Sequence, residues 1–171
     1  YVDDDIDIGN GRYLMEPLVL ARLLQGAAIK PTDVVLNIGD ATGYTTAVIS
    51  KLAQTVVALE ADGEWAGRAT ACLTELAIDN AAVVQGSLVQ GYPAQAPYDV
   101  IVFSGSVGEI PAAISRQLVD GGRLVAVVRP GRGAGTGTLV VRAGDTFGRR
   151  PLFDACTPAL PGFEARQAFV F

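Results

Sequence analysis

Two hydrophobic rhythms alternate along this chain. Short apolar runs occupy residues 34–38, 55–59, 81–85, 98–103 and 123–128. Their length and β-branched content predict strands buried on both faces, as in a parallel sheet. Between them, apolar residues return at helical spacing. Leu20, Leu23 and Leu24 follow Pro17, which suits a first helical turn, and Gly26 is the expected stop. Tyr44, Ala47, Val48 and Leu52 mark a second helix, and Trp65, Ala69, Cys72, Leu73 and Leu76 a third. Ile110, Ala113, Ile114 and Leu118 mark a fourth, closed by residues 120–122. Trp65 could stack on an adenine, although packing in the core is the expected role.

The remaining segments read as connections or as an antiparallel tail. Residues 1–13 are acidic and glycine-bearing, which predicts an exposed lead-in; residues 30–33 form a turn. Residues 91–97 and 104–109 are expected as loops, the second a flexible loop at a strand's carboxyl end, and residues 130–137 as a mobile linker. Residues 138–142 and 146–154 predict a hairpin around Gly144-Asp145, and residues 164–171 a last strand. The expected fold is α/β: a doubly wound, mostly parallel sheet with an antiparallel C-terminal hairpin, in one domain over residues 1–171 with 1–30 as lead-in and helix.

The first predicted strand leads into a chemically suggestive turn, Gly39-Asp40-Ala41-Thr42-Gly43. Strand, glycine turn and helix open a nucleotide-binding α/β unit, in which missing side chains let a ligand approach backbone N–H groups. Taken alone, the two glycines could simply be turn residues. The second strand, however, ends in Glu60, and an acidic residue about 20 positions after the turn suits a ribose diol. Ala41 and Tyr44 occupy positions where the dinucleotide fingerprint has glycines. The spacing Gly39-x-Ala41-x-Gly43-Tyr44 resembles instead motif I of S-adenosylmethionine-dependent methyltransferases, and that resemblance implies a methyl donor in preference to a nicotinamide cofactor.

Charge and composition narrow the chemistry. With 171 residues, 50% hydrophobic, the chain can bury a substantial core. A net charge of −5 argues against nucleic acid as the main partner. No apolar run has the length of a membrane span. The chain has no histidine, which excludes Ser-His-Asp catalysis and the usual zinc sites. Cys72 and Cys156 lack metal-ligand spacing, so a reduced, cytoplasmic protein is expected. The chain starts at Tyr1 rather than methionine, so an N-terminal segment is expected to have been removed or left out.

Several longer words then carry a resemblance. These are residues 11–17 with Leu20-Ala21 behind, residues 35–39 with Gly43-Tyr44, and Gly91-Tyr92-Pro93 before Pro97-Tyr98-Asp99. Glu109-Ile110-Pro111 and residues 117–125 continue the series. Together the chain resembles the protein-L-isoaspartate (D-aspartate) O-methyltransferase family. The resemblance implies S-adenosylmethionine as methyl donor and an isoaspartyl carboxylate of a damaged protein as acceptor. It implies donor contacts at Asn37, Gly39, Asp40, Ala41, Thr42, Gly43, Glu60, Ala61, Gly86, Ser87, Leu88 and Ser104, and acceptor contacts at Met15, Gly105 and Ser106.

A carboxylate acceptor is already ionised at neutral pH and needs no general base. A chain without histidine can therefore do this chemistry by proximity and orientation. Three positions depart from the family pattern: Met15 replaces a hydroxyl residue, and Asn37 and Ser87 replace acidic ones. Each change removes a hydrogen bond worth roughly 1.5–3 kcal/mol when one partner is charged. Weakened donor binding and low or absent activity on isoaspartyl peptides follow as expectations. The alternatives are a non-catalytic member of the family and, third, a nicotinamide-dependent oxidoreductase.

Overall fold

The structure, a computed structural model, describes residues 3–131 and 133–164. It opens with a hairpin, β1 (Ile6–Gly9) and β2 (Arg12–Leu14), where the sequence predicted only an exposed lead-in. Asn10 (φ +55°) and Gly11 (φ +69°) form its turn. An Asn-Gly pair is the turn that matches the twist of a two-residue hairpin, so the signal was present in the sequence.

Helix α1 (Pro17–Ala27) starts at Pro17, as the missing proline N–H allows. It runs through Gly26 and ends at Ala28, which takes the left-handed conformation (φ +46°). Gly26 marks a close approach rather than a stop: a Cβ there would sit 2.5 Å from the Leu152 side chain.

Strand β3 (Val34–Ile38) leads to α2 (Tyr44–Ser50), then β4 (Thr55–Glu60), α3 (Gly63–Glu75) and β5 (Ala81–Gln85). In α2 the buried residues are Thr45, Thr46, Ile49 and Ser50, not the expected stripe of Tyr44, Ala47, Val48 and Leu52. Leu52 lies beyond the helix and is 41% exposed. The inward face is polar because Thr46 is hydrogen-bonded from within the sheet, as described below. Helix α3 keeps Trp65, Ala69 and Leu73 buried and is capped by Asp62, which accepts from the N–H groups of Glu64 and Trp65. Leu76 falls past its end and is exposed.

Strand β6 (Tyr98–Val107) extends four residues beyond the predicted 98–103, so Ser104, Gly105 and Ser106 are buried strand residues rather than a flexible loop. The helix after it, α4 (Ala112–Ser115), is a single turn. Leu118, expected on that helix, instead starts β7 (Leu118–Val128) and pairs with Tyr98. β8 (Gly135–Ala143) and β9 (Thr146–Ala155) form the antiparallel hairpin. The predicted linker is shorter than expected, because residues 135–137 belong to β8. Gly137 lies beneath the Phe153 ring, where a Cβ would come within 2.7 Å. The predicted strand at 164–171 lies, apart from Glu164, outside the described residues.

The seven-stranded sheet runs β5-β4-β3-β6-β7-β8-β9, parallel from β5 to β7 and antiparallel thereafter. One face buries Leu36, Ile38, Phe103 and Leu124; the other buries Val35, Val102 and Met15 against Leu20 and Leu23 of α1. The order reverses between β3 and β6, and open α/β sheets place their ligands at such a switch point. No helix among the described residues is long and apolar enough to cross a membrane.

Candidate functional site

The register of β3, β4 and β6 brings the carboxyl ends of all three strands to one edge, with Ile38 opposite both Leu59 and Phe103. There the chain reverses through three residues in left-handed conformations, Gly39 (φ +81°), Ala41 (φ +56°) and Gly43 (φ +84°). For a residue with a side chain that conformation costs roughly 1–2 kcal/mol. Ala41 is held in it by Glu60, whose Oε2 accepts the Ala41 N–H at 3.0 Å. Gly43 is needed for packing, since a Cβ would meet the Ala69 carbonyl of α3 at 3.1 Å.

Glu60 is the hub of this edge. Its Oε1 accepts from Arg12 Nη1 (2.7 Å) and the N–H groups of Ala61 (2.8 Å) and Asp62 (3.1 Å). Its Oε2 accepts from Arg12 Nη2 (2.8 Å) as well as from Ala41. A carboxylate offers about four lone-pair sites, so this one is saturated by its own chain. Arg12 Nη2 also donates to the Gly39 carbonyl at 2.9 Å. Arg12 is 5% exposed and Glu60 2%. Burial alone would raise the Glu60 pKa, but the hydrogen bonds and charge of Arg12, with the two following N–H groups, hold it below the ordinary value. Sequence reasoning missed Arg12. Its only signal was a cation directly after the Asn-Gly turn, in a segment otherwise acidic.

Beside this pair runs a second buried network. Asp40 accepts from the N–H groups of Thr45 (3.1 Å) and Thr46 (2.8 Å), occupying the first free donors of α2. Burial raises the Asp40 pKa against the opposing effect of its hydrogen bonds to Thr46 and Thr45, and the nearby Glu60 charge adds to the rise. Asn37 donates through Nδ2 to Thr46 Oγ1 (3.0 Å) and accepts from Ser104 Oγ (2.7 Å). Asn37, Ser104 and Asp40 thus converge on the start of α2.

The other wall is a segment after β9, residues 157–160, laid along the end of β6. Ser106 N–H donates to the Pro158 carbonyl and Leu160 N–H to the Ser106 carbonyl, both at 2.9 Å. Leu160 covers Gly39 and Gly105: a Cβ on either glycine would lie 2.7 Å from its side chain. Between this segment, the tip of the β1–β2 hairpin and the end of β6 lies a narrow cleft, lined in part by Arg12, Tyr13, Ser104, Gly105, Thr157 and Leu160.

The other expected residues scatter. Thr42 is half-buried at the turn; Ala61 and Ser87 are exposed, Gly86 is partly exposed, and Leu88 is buried. Met15 is 2% exposed in the core between α1 and the sheet.

A mostly parallel sheet whose first central strand passes through a left-handed turn into a helix, with a carboxylate at the end of the next strand bonded back to that turn, is the Rossmann-like methyltransferase fold. A solved structure named as a protein-L-isoaspartate O-methyltransferase superposes with a TM-score of 0.85 over 96% of this chain and 55% of that one, at 24% identity. A Plasmodium falciparum candidate for the same enzyme, solved with S-adenosyl-L-homocysteine, gives 0.74 over 94% and 81%, at 20% identity. At those identities the likeness is one of fold. The family model for protein-L-isoaspartate (D-aspartate) O-methyltransferase matches residues 1–146, and the chain belongs to that family.

Relatives named protein-L-isoaspartate O-methyltransferase include those of Koribacter versatilis (38% identical, covering 73% of this chain and 56% of that protein) and Methanoculleus marisnigri (39%, 76% and 59%). A third, from Roseiflexus castenholzii, is 36% identical over 90% of this chain and 70% of its own. The chain spans little more than half the length of the first two.

Proposed function

We propose that this chain carries the core of an S-adenosylmethionine-dependent carboxyl O-methyltransferase whose acceptor is the isoaspartyl carboxylate of damaged proteins. The family match over residues 1–146 carries this reading. When bound, the donor would supply an activated sulfonium methyl group as the electrophile for a carboxylate oxygen. The chain's task is to align the two partners and exclude water. The absence of histidine is no obstacle, since an ionised carboxylate needs no base.

The backbone suits such a donor, with Gly39 offering close approach at the switch point. The space does not. Glu60 has no acceptor site left for a ribose hydroxyl, and Leu160 fills the approach to Gly39. No step is therefore derived through the donor in this arrangement. Donor entry requires the Leu160 side chain to turn aside and Arg12 to release Glu60. Leu160 meets Gly39 only through the outer atoms of a flexible side chain, so the first of these movements is small.

The same reading makes the acceptor a protein or peptide carboxylate rather than nucleic acid or a lipid surface, consistent with the net charge of −5. A cytoplasmic setting suits the free Cys72 and Cys156. Titration calorimetry with S-adenosylhomocysteine beside NAD, followed by methyl transfer to an isoaspartyl peptide, tests the proposal. Binding of S-adenosylhomocysteine alone, with transfer to the peptide, is the expected result. Binding of NAD alone, or of neither, would overturn it.

A further inference from the structure

Two buried hydroxyls in the described structure have no hydrogen-bond partner, Ser106 Oγ and Thr157 Oγ1. Buried polar groups are nearly always paired, so an orphan in a well-packed region calls for an explanation. Thr157 is 1% exposed and lines the cleft between Arg12, Tyr13, Ser104 and Gly105. It also begins the segment that the Ser106 backbone pins at Pro158 and Leu160. Thr157 thus lines the cleft next to a segment whose backbone bonds, at Pro158 and Leu160, a change of the Leu160 rotamer leaves intact.

The neighbouring polar groups are already engaged. While the cleft is closed, Arg12 is committed to Glu60 and Gly39, and Ser104 donates to Asn37. Met15, a thioether buried in the core, offers no donor. Among the described residues lining the closed cleft, Thr157 carries the one buried hydroxyl without a partner, and a hydroxyl donor suits an anionic carboxylate.

We propose that Thr157 is the acceptor-positioning residue of this chain, its hydroxyl donating to the substrate carboxylate when the cleft opens. This rests on the methyltransferase reading above. A hydroxyl kept for a ligand has a distinctive double signature. Replacing it by the isosteric valine removes a buried, unpaired polar group from the free protein and a hydrogen bond from the complex. The free protein should gain stability as the complex loses it.

The test uses a fluorescently labelled isoaspartyl peptide, titrated in the presence of S-adenosylhomocysteine against wild type, Thr157→Val and Thr157→Ser, with thermal unfolding of each. Thr157→Val should bind the peptide roughly tenfold more weakly. Its melting temperature should rise by roughly 2–4 °C. Thr157→Ser should keep the wild-type affinity. Equal peptide affinity in wild type and Thr157→Val would overturn the assignment. So would a lower melting temperature in Thr157→Val, which would show the hydroxyl bonded within the free protein. Wild type that binds the peptide without methylating it would overturn the methyltransferase reading, while a tenfold loss in Thr157→Val would still uphold Thr157 as the positioning residue. Wild type with no affinity for the peptide overturns the assignment as well.

Discussion

The two sides of the sheet edge at Gly39 are built by different means. On one side, β3, the turn at residues 39–43, α2 and β4 form a continuous stretch of chain, and their defining bond, Ala41 N–H to Glu60, joins residues 19 positions apart. On the other side, residues 157–160 run beside the end of β6, and the β1–β2 hairpin delivers Arg12 to Glu60 across 48 positions. The first side is held by local backbone geometry. The second is held by long-range packing and decides whether the cleft is open. A strand–turn–helix motif therefore says where a ligand can lie, while residues distant in sequence determine whether it has room.

Removing Arg12 should break this comparison most severely. Arg12→Ala leaves the Glu60 carboxylate buried without its cation, a change that typically costs about 3–5 kcal/mol. Urea unfolding should show a loss of that size, and a loss below about 1 kcal/mol would mean that the pair is hydrated in solution. Leu160→Ala comes next. Truncating a buried leucine costs about 2–5 kcal/mol, and the lower end is expected here because the site borders a cleft that water can refill. The same variant should bind S-adenosylhomocysteine more tightly by calorimetry, since the side chain over Gly39 and Gly105 is gone. Unchanged affinity would show that Leu160 does not guard the donor side.

Gly43→Ala should cost about 1–3 kcal/mol, because it places a side chain at φ +84° against the Ala69 carbonyl. Thermal unfolding measures this, and a neutral result would mean that the α2–α3 contact relaxes freely. The smallest effect is in pH. Glu60 titrates below its ordinary value of 4.5, so the stability it contributes is complete above that value and is lost as pH falls through its folded pKa. Asp40 is shifted upward from 3.8, so its contribution runs the other way: its carboxylate costs stability as pH rises above that value. Melting temperatures taken between about pH 6 and pH 3 should fall toward acid in wild type. They should fall further in Asp40→Asn, from which the opposing contribution is gone.

Much of this architecture was legible in the sequence because it depends on neighbours. The apolar runs at 34–38, 55–59 and 81–85 became β3, β4 and β5, since β-branched residues buried on both faces admit little else. Pro17 started α1, and Glu60 ended its strand beside the turn, because spacing along a strand–turn–helix unit is fixed by covalent geometry. Misreadings arose where a distant partner intervened. Ser104 to Ser106 resemble a loop, yet pairing with β7 and with the segment at Ala159 extends the strand through them. The inward face of α2 is polar because Asn37 and Asp40 reach Thr46.

Gly26 looked like a helix stop and is instead the seat of Leu152. Local sequence determined which elements form and the turn that a nucleoside would approach. Only the tertiary structure decided that Arg12 saturates Glu60, that Leu160 closes the cleft, and that the Thr157 hydroxyl is left unpaired within it. Those outcomes depend on which side chains burial brings together and on how many hydrogen-bonding sites each has, and neither is encoded in spacing along the chain.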